Sequence, residues 1–145
     1  MISISNFKII AVGKIRKKWI QEGIAMYLRR LPGLKIIEIK DSTQIKESYA
    51  IKELIKKKET LVTLNENGQY FTSKEFSQKL LVSQKQNITF AIGGATGFGP
   101  YLNDLASWKL SLSPMTFPHE LARLLLIEQL YRAKMIAQGG PYHKE

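Results

Sequence analysis

The chain of 145 residues contains no cysteine, which excludes disulfides, thiolate metal sites and a cysteine nucleophile and agrees with a reducing compartment. Histidine is scarce, with His119 and His143 the only two, both late in the chain. No apolar run approaches the roughly twenty residues that span a bilayer. The start, Met1-Ile2-Ser3-Ile4-Ser5-Asn6, lacks a basic stretch ahead of an apolar one, so no secretory signal is read there and a soluble, cytoplasmic protein is expected. Acidic residues are in deficit: 12 Asp and Glu stand against 22 Lys and Arg, a net charge of +10. The excess sits in Lys14-Ile15-Arg16-Lys17-Lys18, Arg29-Arg30 and Lys56-Lys57-Lys58. Any one of these clusters serves as well to solvate a helix face, but their sum favours a polyanionic partner such as a phosphate backbone.

With 44% hydrophobic and 23% charged residues the composition is that of an ordinary globular protein. The length suits one domain, residues 1–145, with one core. Short β-branched runs recur at Phe7 to Val12, Leu34 to Ile39, Thr60 to Leu64, Ile88 to Ile92 and Trp108 to Leu112. Helical patterns alternate with them: Trp19 to Leu31, Gln44 to Lys58, Ser73 to Ser83, a short one after Pro100, and Pro118 to Gln138. Thr72 and Glu75 form a capping box, Gly68 marks the preceding turn, and Pro118 falls in the first turn of the last helix. This alternation predicts an α/β fold, a parallel sheet with helices on both faces and ligand sites beyond the carboxyl ends of its strands. The last helix is apolar nearly all round from Leu121 to Ile127, so it needs two partners, and a homodimer supplies the second.

Three strand ends carry candidate site residues. Gly93, Gly94 and Gly97 follow the fourth strand, where glycines serve a tight turn as readily as a ligand. They match neither the dinucleotide fingerprint nor a P-loop. Ser111 to Pro118 follows the fifth strand with three hydroxyls and Met115, and Thr116 is equally a natural N-cap. Leu64 closes the third strand ahead of Asn65-Glu66-Asn67-Gly68. His119-Glu120 is half of a zinc-helix motif, but Arg123 stands where the second histidine would be, so no metal is expected. His119 reads as a packing residue. Glu128 and Arg132 are spaced to pair on a helix surface, and Tyr142-His143 after Gly139-Gly140-Pro141 either reach over a crevice or fray.

Together, Ile92-Gly93-Gly94-x-x-Gly97, the run from Leu110 through Ser113, Met115-Thr116-Phe117-Pro118 to His119, then Arg123, Glu128-Gln129-x-Tyr131-Arg132-Ala133 and Tyr142-His143 closely resemble the RlmH family of ribosomal RNA large-subunit methyltransferases. Ala11-Val12-Gly13-Lys14, Tyr27 to Leu31 and Val62-Thr63-Leu64 extend the likeness over nearly the whole chain. The resemblance implies a Rossmann-like SPOUT methyltransferase domain with a C-terminal trefoil knot, an obligate homodimer, and S-adenosylmethionine as cofactor. The implied reaction is methylation of N3 of a pseudouridine in a stem-loop of 23S rRNA on assembled ribosomes, with no metal and no membrane. By similarity, Leu64, Gly94, Ser113, Pro114, Met115, Thr116, Phe117 and Pro118 contact the cofactor, while Arg132, Tyr142 and His143 hold or activate the target nucleotide from the partner subunit. Residue chemistry makes His143 the expected base, Arg132 a stabiliser of a uracil oxyanion or a phosphate, and Tyr142 a stacking surface. The stretch from Asp41 to Lys58 is shorter than is usual in that family. The rivals are a non-enzymatic RNA-binding protein on the same fold and a small nucleotide-dependent oxidoreductase, the latter disfavoured by the missing fingerprint.

Overall fold

Strand residues of alternating direction sort the interior into two cores. In the computed structural model, which describes residues 1–144, β1 (Phe7–Val12) sends Phe7, Ile9 and Ala11 into one core and Ile10 and Val12 into the other. The other strands are β2 (Lys35–Ile39), β3 (Thr60–Tyr70), β4 (Ile88–Ile92) and β5 (Trp108–Ser111). All pair in parallel, in the order β2-β1-β4-β3-β5. The central strand β4 is buried throughout, as a strand covered on both faces must be.

Helices α1 (Lys18–Arg29), α3 (Ser73–Ser83) and α5 (His119–Ala137) cover the larger core, and α2 (Gln44–Leu54) and α4 (Pro100–Leu105) the smaller. Phe90 sits at the centre of the larger core, edge-on to Phe7, Phe76 and Trp108. On α5, Leu126, Ile127 and Leu130 have no exposed surface, a contribution on the order of 2 kcal/mol each. No residue of α5 is exposed, since α1 and α3 flank it and the sheet lies beneath. Among the described residues no helix is long and apolar enough to cross a membrane.

Charged groups fix α5 against the strand ends. Arg123, 3% exposed, reaches Glu38 at 2.5 Å and the Gly13 carbonyl at 3.0 Å, joining α5 to the ends of β2 and β1. Glu120 accepts from the backbone amides of Arg16 at 2.8 Å and Lys17 at 3.1 Å, just ahead of α1. The Lys17 amide, with that of Arg16 and the charges of His119 and Lys17, holds the Glu120 carboxyl below its usual range against the opposing effect of burial.

Three expectations are corrected. The third strand does not close at Leu64, and Gly68 is not in a turn between elements. β3 continues to Tyr70, and because Leu64 and Gln69 both align with Leu110, the intervening residues 65–68 form a wide bulge within it. Asn65 Oδ1 accepts from the Asn67 amide at 2.8 Å, so the Asn-Glu-Asn-Gly signal makes a local turn that the strand survives. The second helix ends at Leu54 instead of Lys58, because Glu59 accepts from the Lys56 amide at 2.7 Å and pairs with Lys8 near the start of β1. Thr116 does not cap the last helix: Pro118 holds the N-cap position and the Thr116 hydroxyl donates to Glu66. The Thr72–Glu75 capping box is formed as read.

A β-carbon on Gly68 would lie 2.7 Å from the Lys109 carbonyl oxygen on β5. Gly68→Ala is therefore expected to destabilise the protein by about 1–3 kcal/mol, measured as a lower urea midpoint with an unchanged m-value. A wild-type midpoint would show that β5 yields freely at the bulge.

Candidate functional site

Beyond the ends of β4, β5 and the first part of β3 lies a cavity of about 820 Å³, within the range of small-molecule and cofactor sites. Its wall comes from residues 64–67 of the bulge, the glycine turn 92–98, and the segment from Leu110 to His119. Each piece has a local cause. Gly97 adopts φ +67°, a conformation costly for other residues, and its amide donates to the Gly94 carbonyl at 3.0 Å to close the turn. A β-carbon on Gly93 would stand 3.0 Å from the Gly97 backbone, so the turn also needs glycine for closeness.

The bulge and the β5 loop hold each other. The Ser111 hydroxyl lies 2.9 Å from the Ser113 carbonyl and 3.1 Å from that of Glu66, while Ser113 Oγ accepts from the Met115 amide at 3.0 Å. The result is a cleft lined by apolar residues, including Leu64, Leu112 and Phe117, and by polar ones, including Asn65, Asn67 and Thr116, a mixture suited to a heterocycle with a polar edge. Of the residues expected at a cofactor, Leu64, Gly94, Ser113, Met115, Thr116, Phe117 and Pro118 line this cavity, and Pro114 does not. Asn65, Glu66 and Asn67 line it too, though the sequence reading treated them only as a turn.

The second group of expected residues gathers at the other end of α5. Gly139 takes φ +71°, and the Gly140 amide donates to Met135, ending the helix and reversing the chain. Tyr142 is thereby laid against α5, its hydroxyl 2.9 Å from Glu128 and 3.1 Å from that of Tyr27 on α1. Its ring packs edge-on to Tyr131, and the Arg132 guanidinium lies 4.8 Å from its centroid. Glu128 pairs with Arg132 at 2.7 Å, so the surface pair expected from i, i+4 spacing is the base of a larger cluster. Burial, then the Tyr27 and Glu128 contacts, push the Tyr142 phenol well above its ordinary range. The Glu128 carboxylate likewise raises Arg132.

Arg132 also reaches His143 Nδ1 at 3.0 Å. A guanidinium only donates, so Nδ1 accepts and the neutral ring carries its proton on Nε2. The contact with Arg132 engages Nδ1 and leaves Nε2 as the other ring nitrogen. Arg132, Tyr142 and His143 are thus brought together, but not with the cavity. From His119, which lines the cavity, to Arg132 is thirteen residues of helix, about 20 Å. Glu128 and Tyr27 were not expected as members: both belong to the motifs of the family likeness, the first read as a surface pair with Arg132 and the second given no role.

Comparison with known proteins places these features in a family. Residues 5–143 match the family model described as "Predicted SPOUT methyltransferase". The chain is 74% identical over 145 residues, all of both chains, to the "Ribosomal RNA large subunit methyltransferase H" of Prochlorococcus marinus (strain NATL1A). It is 54% identical over 140 residues, 97% of each chain, to the protein of the same name from Synechococcus sp. (strain CC9311). Among solved structures, the SpoU methyltransferase AviRb from Streptomyces viridochromogenes in complex with AdoMet matches with a TM-score of 0.51 at 11% identity. That match covers 88% of this chain and 57% of the other, a likeness of fold.

The tail cluster makes a testable statement about Tyr142. In ultraviolet difference titration one tyrosine should ionise well above the ordinary value of about 10, and Glu128→Gln should move that transition downward by removing the facing negative charge. A titration curve unaltered by the substitution would separate Tyr142 from Glu128.

Proposed function

This chain belongs to the SPOUT methyltransferase family, and on that premise we propose that it is an S-adenosylmethionine-dependent ribosomal RNA methyltransferase. Its proposed target is N3 of a pseudouridine in a stem-loop of 23S rRNA on assembled ribosomes in the cytoplasm. The observation that carries this reading is the cavity between the glycine turn and the Ser113–Pro118 loop: it combines apolar lining residues for an adenine with polar ones for its edge. Leu64, Gly94 and the residues from Ser113 to Pro118 are assigned to the cofactor, Pro114 as part of the loop backbone. The reading includes the C-terminal trefoil knot, tied in the segment that carries the two loops.

It also includes a homodimer. Within one chain the Arg132 cluster stands about 20 Å from the cavity along α5. An antiparallel partner would set the Arg132, Tyr142 and His143 of one subunit over the cavity of the other, completing each site in trans.

When bound, S-adenosylmethionine supplies a methyl carbon whose bond to sulfur breaks as the new bond to N3 forms, so the protein's task is alignment and exclusion of water. Tyr142 offers a ring face for the base, and Arg132, held in orientation by Glu128, offers positive charge to a uracil oxygen. His143 presents Nε2–H to the same developing anion, while the N3 proton leaves to solvent. His143 thereby acts as a donor, a different role from the one its residue type suggests.

Incubation with methyl-labelled S-adenosylmethionine and ribosomes, separated subunits or naked rRNA, followed by mapping of the labelled nucleoside, tests the reading; absence of label anywhere would sink it. Gly94→Leu, whose side chain would press on Val12 and shift the glycine turn, should weaken cofactor binding roughly tenfold or more by calorimetry. His143→Gln, which keeps an N–H near the Nε2 position but is no base, should retain most of the methylation rate, and His143→Ala should not. If His143 is instead the base, the Gln variant should fall roughly 100-fold or more.

A further inference from the structure

A second cleft, of about 590 Å³, opens beside the cofactor cavity, beyond the ends of β1 and β2. Residues 13–16 form one wall and residues 38–41 the other, with His119 and Glu120 at the head of α5 closing the end. The two cavities are neighbours: His119 lines both. Gly94 lines the cofactor cavity, yet a β-carbon there would lie 3.3 Å from Val12 Cγ1 and 3.8 Å from Asp41 Oδ1, on the side of the second cleft. The partition between them is therefore thin.

Three cations, Lys14, Arg16 and Lys40, and three carboxylates, Glu38, Asp41 and Glu120, line this cleft, and Arg123 adds a fourth cation through its pair with Glu38. Glu120 is held by the Arg16 and Lys17 amides, and Asp41 lies in hydrogen-bond contact with Glu47. The exposed cations Lys14, Arg16 and Lys40 make no ion pair among the described residues. Because Glu120 accepts from the Arg16 and Lys17 amides, Lys14 and Arg16 stand on a held loop, while Lys40 follows the end of β2. The volume suits one nucleotide, and sequence-specific RNA recognition commonly receives a splayed-out, single-stranded base.

Resting on the function proposed above, we propose that this cleft receives the RNA strand at the acceptor nucleotide, with its phosphates on Lys14, Arg16 and Lys40 and its base directed past His119 towards the cofactor cavity. The cofactor cavity would then supply the methyl group and the cleft the strand, with the partner's tail cluster closing over both. Lysines elsewhere contribute to the long-range field but not to this contact.

The test compares two triple variants of equal charge loss, Lys14→Ala/Arg16→Ala/Lys40→Ala in the cleft and Lys56→Ala/Lys57→Ala/Lys58→Ala in the turn after α2. For methylation of assembled ribosomes, the cleft variant should raise KM roughly tenfold or more and lower the slope of log affinity against log salt by about 2, as expected when about three phosphate contacts are lost. Its affinity for S-adenosylmethionine, measured by calorimetry, should match the wild type. The turn variant should leave KM and the salt slope near wild type. A cleft variant with wild-type KM and slope would overturn the proposal, as would equal losses in both variants, which would assign the effect to net charge. Should the wild-type protein methylate no RNA, the functional reading fails by itself; filter binding of naked 23S rRNA by the same variants still decides the cleft, by the same comparison of slopes.

Discussion

The buried guanidinium of Arg123 is the contact on which the arrangement of the rest depends. A cation taken out of water is costly unless paired, although the solvent that reaches Glu38 screens this pair and lowers its worth below that of a fully buried one. Here the partners come from three elements: Arg123 on α5, Glu38 on β2 and the carbonyl of Gly13 just after β1. The orientation of α5 about its axis is thus set by charge as well as by its apolar surface. A helix that is apolar nearly all round has little else to fix its rotation, since Leu121, Leu124 and Leu125 would pack acceptably at several angles. Glu120, three residues earlier, adds a second restraint by binding the backbone ahead of α1.

Once α5 is so placed, its two ends become two stations. Its head borders both cavities through His119, and its tail carries the Glu128–Arg132 pair on which Tyr142 and His143 rest. The distance between the stations is a property of helix rise and cannot be shortened by side-chain movement. A single chain therefore keeps the residues at the two ends of α5 apart.

Much of this was legible in the sequence, for identifiable reasons. Strands β1 and β4 read correctly to the residue because buried apolar side chains dominate both, with a single polar residue in each, Lys8 and Thr89. The capping box at Thr72 read correctly because its signal is local. The bulge in β3 did not: Asn65 to Gly68 has the composition of a turn, and only pairing with Leu110, forty residues away, decides that the strand resumes. The end of α2 depended on Glu59 and its distant partners Lys8 and Thr89. At the site, glycine and hydroxyl spacing located the cavity walls, whereas the roles of Glu128 and Tyr27 came from tertiary packing. The tautomer of His143 was likewise beyond composition, because it is imposed by a donor eleven residues earlier.

The bulge in β3 also bears on how such a protein can diversify. Leu64 and Gln69 share one position on β5, so the residues between them can change in number or chemistry without altering the alignment of any strand, provided a glycine remains where Lys109 comes close. One wall of the ligand cavity is thus free to vary while the hydrogen-bonded frame stays fixed. Related chains could acquire different ligand preferences by small insertions at this point, with no compensating change in the core.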